Sequence, residues 1–262
     1  MSKYVVFSFD DGRLDTYTRA YPILKKYGMT FTLNVCTDFV EHQENYNCFK
    51  SADNKSVKPE HLLEMQKNGV EIACHGHLHL NTKEDVLNNI ASLEKMGVNI
   101  SNIGFASPNS EITEDNASDV LDLVNDGVLS YVRSGIQVRR EGLIYSALSL
   151  AERKLHSSSL FYRLNRRCII KNTKQKILLS IGIHKATTVK QLLKFIDKMK
   201  DGEAVILMFH SILDKNDVGY GCDNWYFDLE CFDKLCRSLS DNADVTVCTT
   251  KELFSSVENI SV

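Results

Sequence analysis

Three of the chain's eight histidines fall within His75-Gly76-His77-Leu78-His79-Leu80. Rings four residues apart, as in His75 and His79, face one side of a helical turn and can share a metal ion. His77 would point elsewhere, and the plain alternative for the whole stretch is an exposed polar loop. Asp10-Asp11-Gly12 is the second group of interest. Two adjacent carboxylates at the end of a buried strand repel each other and lose hydration, which raises at least one pKa unless a cation compensates. Asp-Gly is also an ordinary turn dipeptide. One aspartate with two histidines makes a facial set with open positions, suited to Zn²⁺ or a related divalent ion. His210 directly follows the apolar run AVILMF. It reads either as a strand-end histidine hydrogen-bonded in its surroundings or as a general acid with a pKa near neutrality.

Short β-branched and aromatic runs alternate with helical periodicity along the chain. Strands are expected at YVVFSF (4–9), TFTLNV (30–35), VEIA (70–73), NIGFA (102–106), LSYVR (129–133), KILLSI (176–181), AVILMF (204–209) and DVTVC (244–248). Helices are expected at 16–28, 59–69, 83–97 and 118–126, and again in TVKQLLKFIDKMKDG, FDLECFDKLCRSLSDN and TTKELFSSV. This alternation predicts an α/β fold, a distorted (β/α) barrel of about seven strands in a single domain spanning 1–262, with an open doubly wound sheet as the alternative. In such folds catalytic groups collect where strands end. Asp10-Asp11, His75–His79, Ala106–Asn109 and His210 all follow predicted strands, so one face of a barrel would gather them.

With 43% hydrophobic and 25% charged residues the chain is of the soluble globular class. No run approaches the length needed to span a membrane, and the N-terminus lacks the features of a secretory signal, so a cytoplasmic protein is expected. The eight cysteines, at 36, 48, 74, 168, 222, 231, 236 and 248, are then reduced thiols. Net charge is −3, but residues 133–176 hold seven Arg and four Lys against two Glu. This basic, insertion-like region (about 136–176) reads as a solvated face. Its functional alternative is contact with a phosphate-bearing substrate or an anionic membrane. Nothing in the sequence suggests nucleic-acid binding, and the oligomeric state is not legible.

Taken together, Phe9-Asp10-Asp11-Gly12, then Glu71-Ile72-Ala73-Cys74-His75 with His79, then Leu207-Met208-Phe209-His210 resemble the polysaccharide deacetylases of carbohydrate esterase family 4. The resemblance runs from about residue 4 to 254 and is weakest in the basic middle. It implies a distorted barrel and metal-dependent hydrolysis of N-acetyl groups on a sugar, glycan precursor or glycolipid. It further implies Asp10 as general base and His210 as general acid. Asp11, His75 and His79 would hold a divalent metal, with Zn²⁺ favoured over Co²⁺, Ni²⁺ or Mn²⁺. A backbone N–H near Asn109 would face the oxyanion. The chain departs from the family at Phe105-Ala106-Ser107-Pro108-Asn109, where Ala106 replaces an arginine that orients the catalytic aspartate and Asn109 replaces an aromatic. Arg133, at the end of the next predicted strand, is a candidate substitute. Trp225 could offer a sugar-stacking face. The motif that places an acid behind the acid histidine is not found. Two rivals remain: hydrolysis of another C–N bond, such as a cyclic amide or imide, and a glycan-binding protein without catalysis.

Overall fold

The computed structural model describes residues 2–42, 55–171, 175, 177–217, 219–221 and 224–257. Cys48 and Cys222 lie outside the described residues. Seven parallel strands close on themselves: β1 (Lys3–Phe9), β2 (Thr32–Val35), β3 (Glu71–Cys74), β4 (Phe105–Ala106), β5 (Val132–Gly135), β6 (Ile177–Gly182) and β7 (Ala204–Phe209). Each pairs with the next, and β7 returns to β1 from Tyr4↔Ala204 to Phe9↔Phe209. The expected single-domain barrel is therefore the fold. Its distortion lies at β1, whose first residues pair with β10 (Val245–Val247) and whose last pair with β2. A separate two-stranded parallel pair, β8 (Ser211–Leu213) and β9 (Tyr226–Asp228), follows β7.

Alternation along the strands divides the molecule into two apolar regions. Val5, Phe7 and Phe9 belong to the large core, where Phe9 stacks on Phe209 at 5.3 Å and both rings meet Phe232. Phe232 is carried by α9 (Leu229–Ser240), so this layer joins barrel to helices. Val6 turns the other way and packs with Tyr131, Leu178 and Ile206. Ser8, two residues on, accepts a hydrogen bond from Asn34 Nδ2 at 2.8 Å, and Asp10 follows at the mouth. The inward face thus passes from apolar to polar towards the C-terminal ends of the strands.

The helices begin and end largely as their sequences require. α1 (Tyr21–Lys26) is preceded by a π-helical turn over Thr16–Ala20, so the single helix expected over 16–28 is broken. Pro22 stands in the first turn of α1, and the Tyr21 N–H bonds Thr16 O five residues back. α2 (Thr37–His42) follows β2, and α3 (Pro59–Lys67) starts on its proline. α4 (Lys83–Lys95) is capped by Thr82, whose hydroxyl accepts from Asp85 N. α5 (Ser118–Asn125) precedes β5.

The basic middle has the expected solvated face, where Arg163, Arg166, Arg167 and Lys171 are exposed, and a buried apolar face behind it. It forms α6 (Gly142–Leu155) and α7 (Ser158–Asn165). Phe161, Leu164, Cys168 and Ile170 are buried, Phe161 lies 6.1 Å from Phe195, and Ile170 bridges to Ala204. Apolar residues at helical spacing inside a basic run give one buried face and one charged face. Phe195 belongs to α8 (Val189–Asp197), which opens with a capping box between Thr188 and Gln191. α10 (Thr250–Val257) closes the order. Among the described residues no helix is long and apolar enough to cross a membrane.

The expected strand NIGFA shrinks to Phe105–Ala106, and Gly104 before it is pressed against the Tyr131 ring. A Cβ at Gly104 would stand 2.0 Å from that ring, whose hydroxyl donates to Glu71 Oε1 at 2.8 Å. Gly104→Ala should therefore destabilise the fold by about 3 kcal/mol, read as the urea midpoint. Gly127→Ala, with open space around it but φ +72°, should cost only about 1 kcal/mol.

Candidate metal centre

The motif loops meet at the C-terminal mouth of the barrel. Asp10 and Asp11 leave β1, with Asp11 at φ 79°, a conformation side chains rarely adopt. His75 follows β3. The segment to His79 is not the helical turn expected from the spacing; Gly76 (φ 77°) and His79 (φ 60°) both turn it left-handed. A Cβ at Gly76 would stand 2.5 Å from Asp85 Oδ2. Asp85 fastens the loop, its two oxygens accepting from the N–H groups of Leu78 (2.9 Å) and Leu80 (3.0 Å). His77 points away from the aspartates and bonds Thr37 Oγ1 at 2.8 Å.

Asp11 Oδ1 lies 3.4 Å from His75 Nε2 and 3.7 Å from His79 Nε2. It is buried and has no hydrogen-bond partner. His75 Nδ1 is 2.8 Å from the Ala106 carbonyl, so it carries the proton and leaves the Nε2 lone pair facing the carboxylate. Lone pairs of three donors thus converge on one point, which a proton or a metal cation must satisfy. The donor types fit a divalent ion of the Zn²⁺ class. Cys36 Sγ falls in the same cluster, all within 4.8 Å, but donates to His75 O at 3.3 Å as a neutral thiol would. Cys74 faces the large core and takes no part; burial pushes its thiol far above the ordinary range.

Each aspartate has its own buried arginine. Asp10 Oδ1 accepts from Arg133 Nη2 and from Asn34 Nδ2, while Oδ2 is 4.0 Å from His75 Nε2. Burial pushes the Asp10 carboxyl up, but Arg133, His75 and His210 outweigh it and hold the group below its usual range. Asp11 Oδ2 accepts from Arg13 Nε at 2.9 Å, and Arg13 Nη1 donates to Ser211 Oγ. Against burial, Arg13 and the histidines hold Asp11 well below normal. The pair raises His75 despite burial. Burial and the His75 charge lower His79 to about 4. His210 is lowered by burial, against the pull of both aspartates.

The side chains open into a cavity of about 1000 Å³. Asn109 and Trp225 line it with His210. Asn109 sits in a 3₁₀ turn at φ 53°. The Trp225 ring is 5.3 Å from that of His210 and lies over Gly182, where a Cβ would meet it at 3.2 Å. His210 Nδ1 has no hydrogen-bond partner among the described residues, and none of their acids bonds it. Arg133 is packed beneath Asp10 and bonds it, rather than facing substrate. Sequence reasoning missed Arg13, Asn34, Asp85 and Cys36, of which only Arg13, two residues past the acid pair, carried a readable sign.

The polysaccharide deacetylase family profile matches residues 1–123. YxkH of Bacillus subtilis (strain 168), provisionally named a polysaccharide deacetylase, is 36% identical over 81 residues, covering 30% of this chain and 25% of that protein. The match thus spans about a quarter of that relative's length. The peptidoglycan deacetylase PdaC from Bacillus subtilis superposes over 99% of this chain and 93% of its own, with TM-score 0.52 and 15% identity. A family 4 acetyl xylan esterase from Clostridium thermocellum, in complex with a cobalt ion, covers 97% and 91%, with TM-score 0.50 and 17% identity. The first 123 residues thus match the polysaccharide deacetylase profile, and the chain as a whole shares the fold of these solved deacetylases and esterases.

Purified protein should take up about one equivalent of divalent metal, and a His75→Ala/His79→Ala double variant should take up none, by elemental analysis after dialysis. Asp85→Ala, which frees the loop but removes no ligand, should weaken metal affinity about 10- to 100-fold in chelator competition.

Proposed function

We propose that the chain is a metal-dependent N-deacetylase of an acetylated sugar, glycan precursor or glycolipid. The observation that carries this reading is the unequal use of the two aspartates. Asp11 offers an unsatisfied buried oxygen to two imidazoles, whereas Asp10 has one oxygen fully bonded and the other without a hydrogen bond, at the edge of the cavity. Asp11, His75 and His79 would hold the metal, with Zn²⁺ the favoured ion. When bound, it supplies a Lewis acid that polarises the acetyl carbonyl and makes water acidic enough to attack near neutral pH.

Asp10 stays ionised because Arg133 holds its charge, and Oδ2 is the atom that accepts the proton of the attacking water. Arg133 and Asn34 on Oδ1 fix the direction of Oδ2. The Asn109 backbone N–H, on the cavity wall, donates to the oxygen that gains charge as the carbonyl becomes tetrahedral. His210 in its protonated form hands a proton to the departing amine and is left as neutral imidazole, while Asp10 holds the proton taken from water. Burial lowers the His210 pKa, and both carboxylates oppose that shift. Trp225 offers the flat apolar face on which a pyranose ring can lie. The products are acetate and the free amino sugar.

Acetate release from N-acetylated saccharides by the metal-loaded protein tests the reading. Asp10→Asn should lower kcat by about 10³-fold or more and leave metal content unchanged. His210→Ala should lower kcat by about 10²- to 10⁴-fold, also with metal retained. An Asp10→Asn protein with undiminished turnover would refute the base assignment.

A further inference from the structure

α6 is a wall of the cavity, and its three faces differ in chemistry. Tyr145, whose hydroxyl donates to Leu164 O, and Glu152, which accepts from Gln191, turn towards the body of the protein. Ser146, Ser149, Leu150 and Arg153, spaced by three and four, face the cavity. Leu143 and Ile144 are 90% and 80% exposed, and Leu155 is 71% exposed. Leu150, 57% exposed, belongs both to this apolar stripe and to the cavity lining, so the two surfaces are continuous.

The paired aspartates in the cavity have cations of their own, which leaves the guanidinium on this wall without a carboxylate among the described residues. Asp10 has Arg133 and Asp11 has Arg13. Glu111 accepts from Asn81. Arg153 Nε is buried without a hydrogen-bond partner, and its guanidinium pairs with no carboxylate among the described residues. Glu152, next to it in sequence, is engaged by Gln191 on α8. A guanidinium that lines a cavity without a carboxylate partner has donors to offer an anion there, and its planar fork suits phosphate.

We propose that Arg153 and the cavity face of α6 form a subsite for a phosphate carried by the sugar, and that this phosphate joins the sugar to a hydrocarbon chain lying along Leu150, Leu143, Ile144 and Leu155. The sugar rests on the deacetylase reading above; the phosphate and the chain rest on α6. A nucleotide on the same phosphate would bring a second polar ring system onto an apolar stripe, whereas a hydrocarbon chain is matched by it.

Trp225 is the only tryptophan in the sequence and lines this cavity, so its fluorescence reports binding without turnover. Five ligands would be titrated: N-acetylglucosamine, its 1-phosphate, the decyl diester of that phosphate, the uridine diphosphate sugar, and N-acetylmuramic acid. The 1-phosphate should bind about tenfold or more tighter than the plain sugar, and Arg153→Gln should erase that difference. The decyl diester should bind tighter again, and Leu143→Ser/Ile144→Ser, at positions too exposed to unfold the protein, should remove only this second gain. Equal binding of sugar and sugar phosphate, or a difference that survives Arg153→Gln, would overturn the phosphate subsite. Tighter binding of the carboxylate sugar than of the phosphate would overturn the choice of anion. Tighter binding of the nucleotide sugar than of the decyl diester would overturn the hydrocarbon chain. Failure of the deacetylase reading would show separately, as absence of acetate release from every ligand.

Discussion

Two carboxylates stand side by side at the end of a buried strand, and the mouth of the barrel is arranged around that charge. Unit charges about 4 Å apart at a protein-like effective dielectric interact by about 4 kcal/mol, so an uncompensated pair would leave one member protonated. Arg133 and Arg13 resolve this by binding one aspartate each. Removing either arginine would strand a buried charge, a loss of about 3–5 kcal/mol. The pairing also separates the aspartates by role. Arg13 occupies Oδ2 of Asp11 and leaves Oδ1 to the imidazoles, while Arg133 and Asn34 occupy Oδ1 of Asp10 and leave Oδ2 towards the cavity.

A parallel barrel can hold this arrangement because its inward face need not be uniform. Val6, Leu178 and Ile206 fill one level with hydrocarbon. At the next, Ser8 bonds Asn34 and Ser180 Oγ donates to Ser134 O at 2.8 Å. Above these come Asp10 and Arg133. Towards the mouth apolar packing gives way to hydrogen bonds, the usual condition for burying polar groups, with Asp11 Oδ1 and His210 Nδ1 among the exceptions at the site itself. Outside, the Phe7–Phe9–Phe209–Phe232 cluster ties β1 and β7 to α9, so the strands that lead into Asp10, Asp11 and His210 are held by aromatic packing.

The strands and helices that frame the site were legible in the sequence because period-two and period-3.6 patterns survive wherever one face is buried. YVVFSF and AVILMF read correctly for that reason. NIGFA is shorter than expected at its start, where Gly104 packs against the Tyr131 ring. The paired aspartates and the histidines were visible as residue types at strand ends. Their convergence was not, since it depends on left-handed residues at Asp11, Gly76 and His79, and on Asp85, whose side chain bonds backbone that no pattern marks. In the basic middle the cations are exposed as expected, while Phe161, Leu164 and Ile170 between them supply the buried face.

The sequence resemblance would put an arginine at the position of Ala106, and the structure shows where this chain carries one instead. Ala106 and Arg133 are register partners on β4 and β5. Side chains of paired residues on neighbouring parallel strands leave the sheet on the same side at the same level. Arg133 reaches Asp10 from β5 and is almost wholly buried, with the small Ala106 beside it in register. The other contribution of position 106 is a backbone carbonyl, which accepts from His75 Nδ1 and is indifferent to the side chain. Moving the arginine one strand over keeps both the orientation of Asp10 and the tautomer of His75, which are the two properties the site requires of this edge of the barrel.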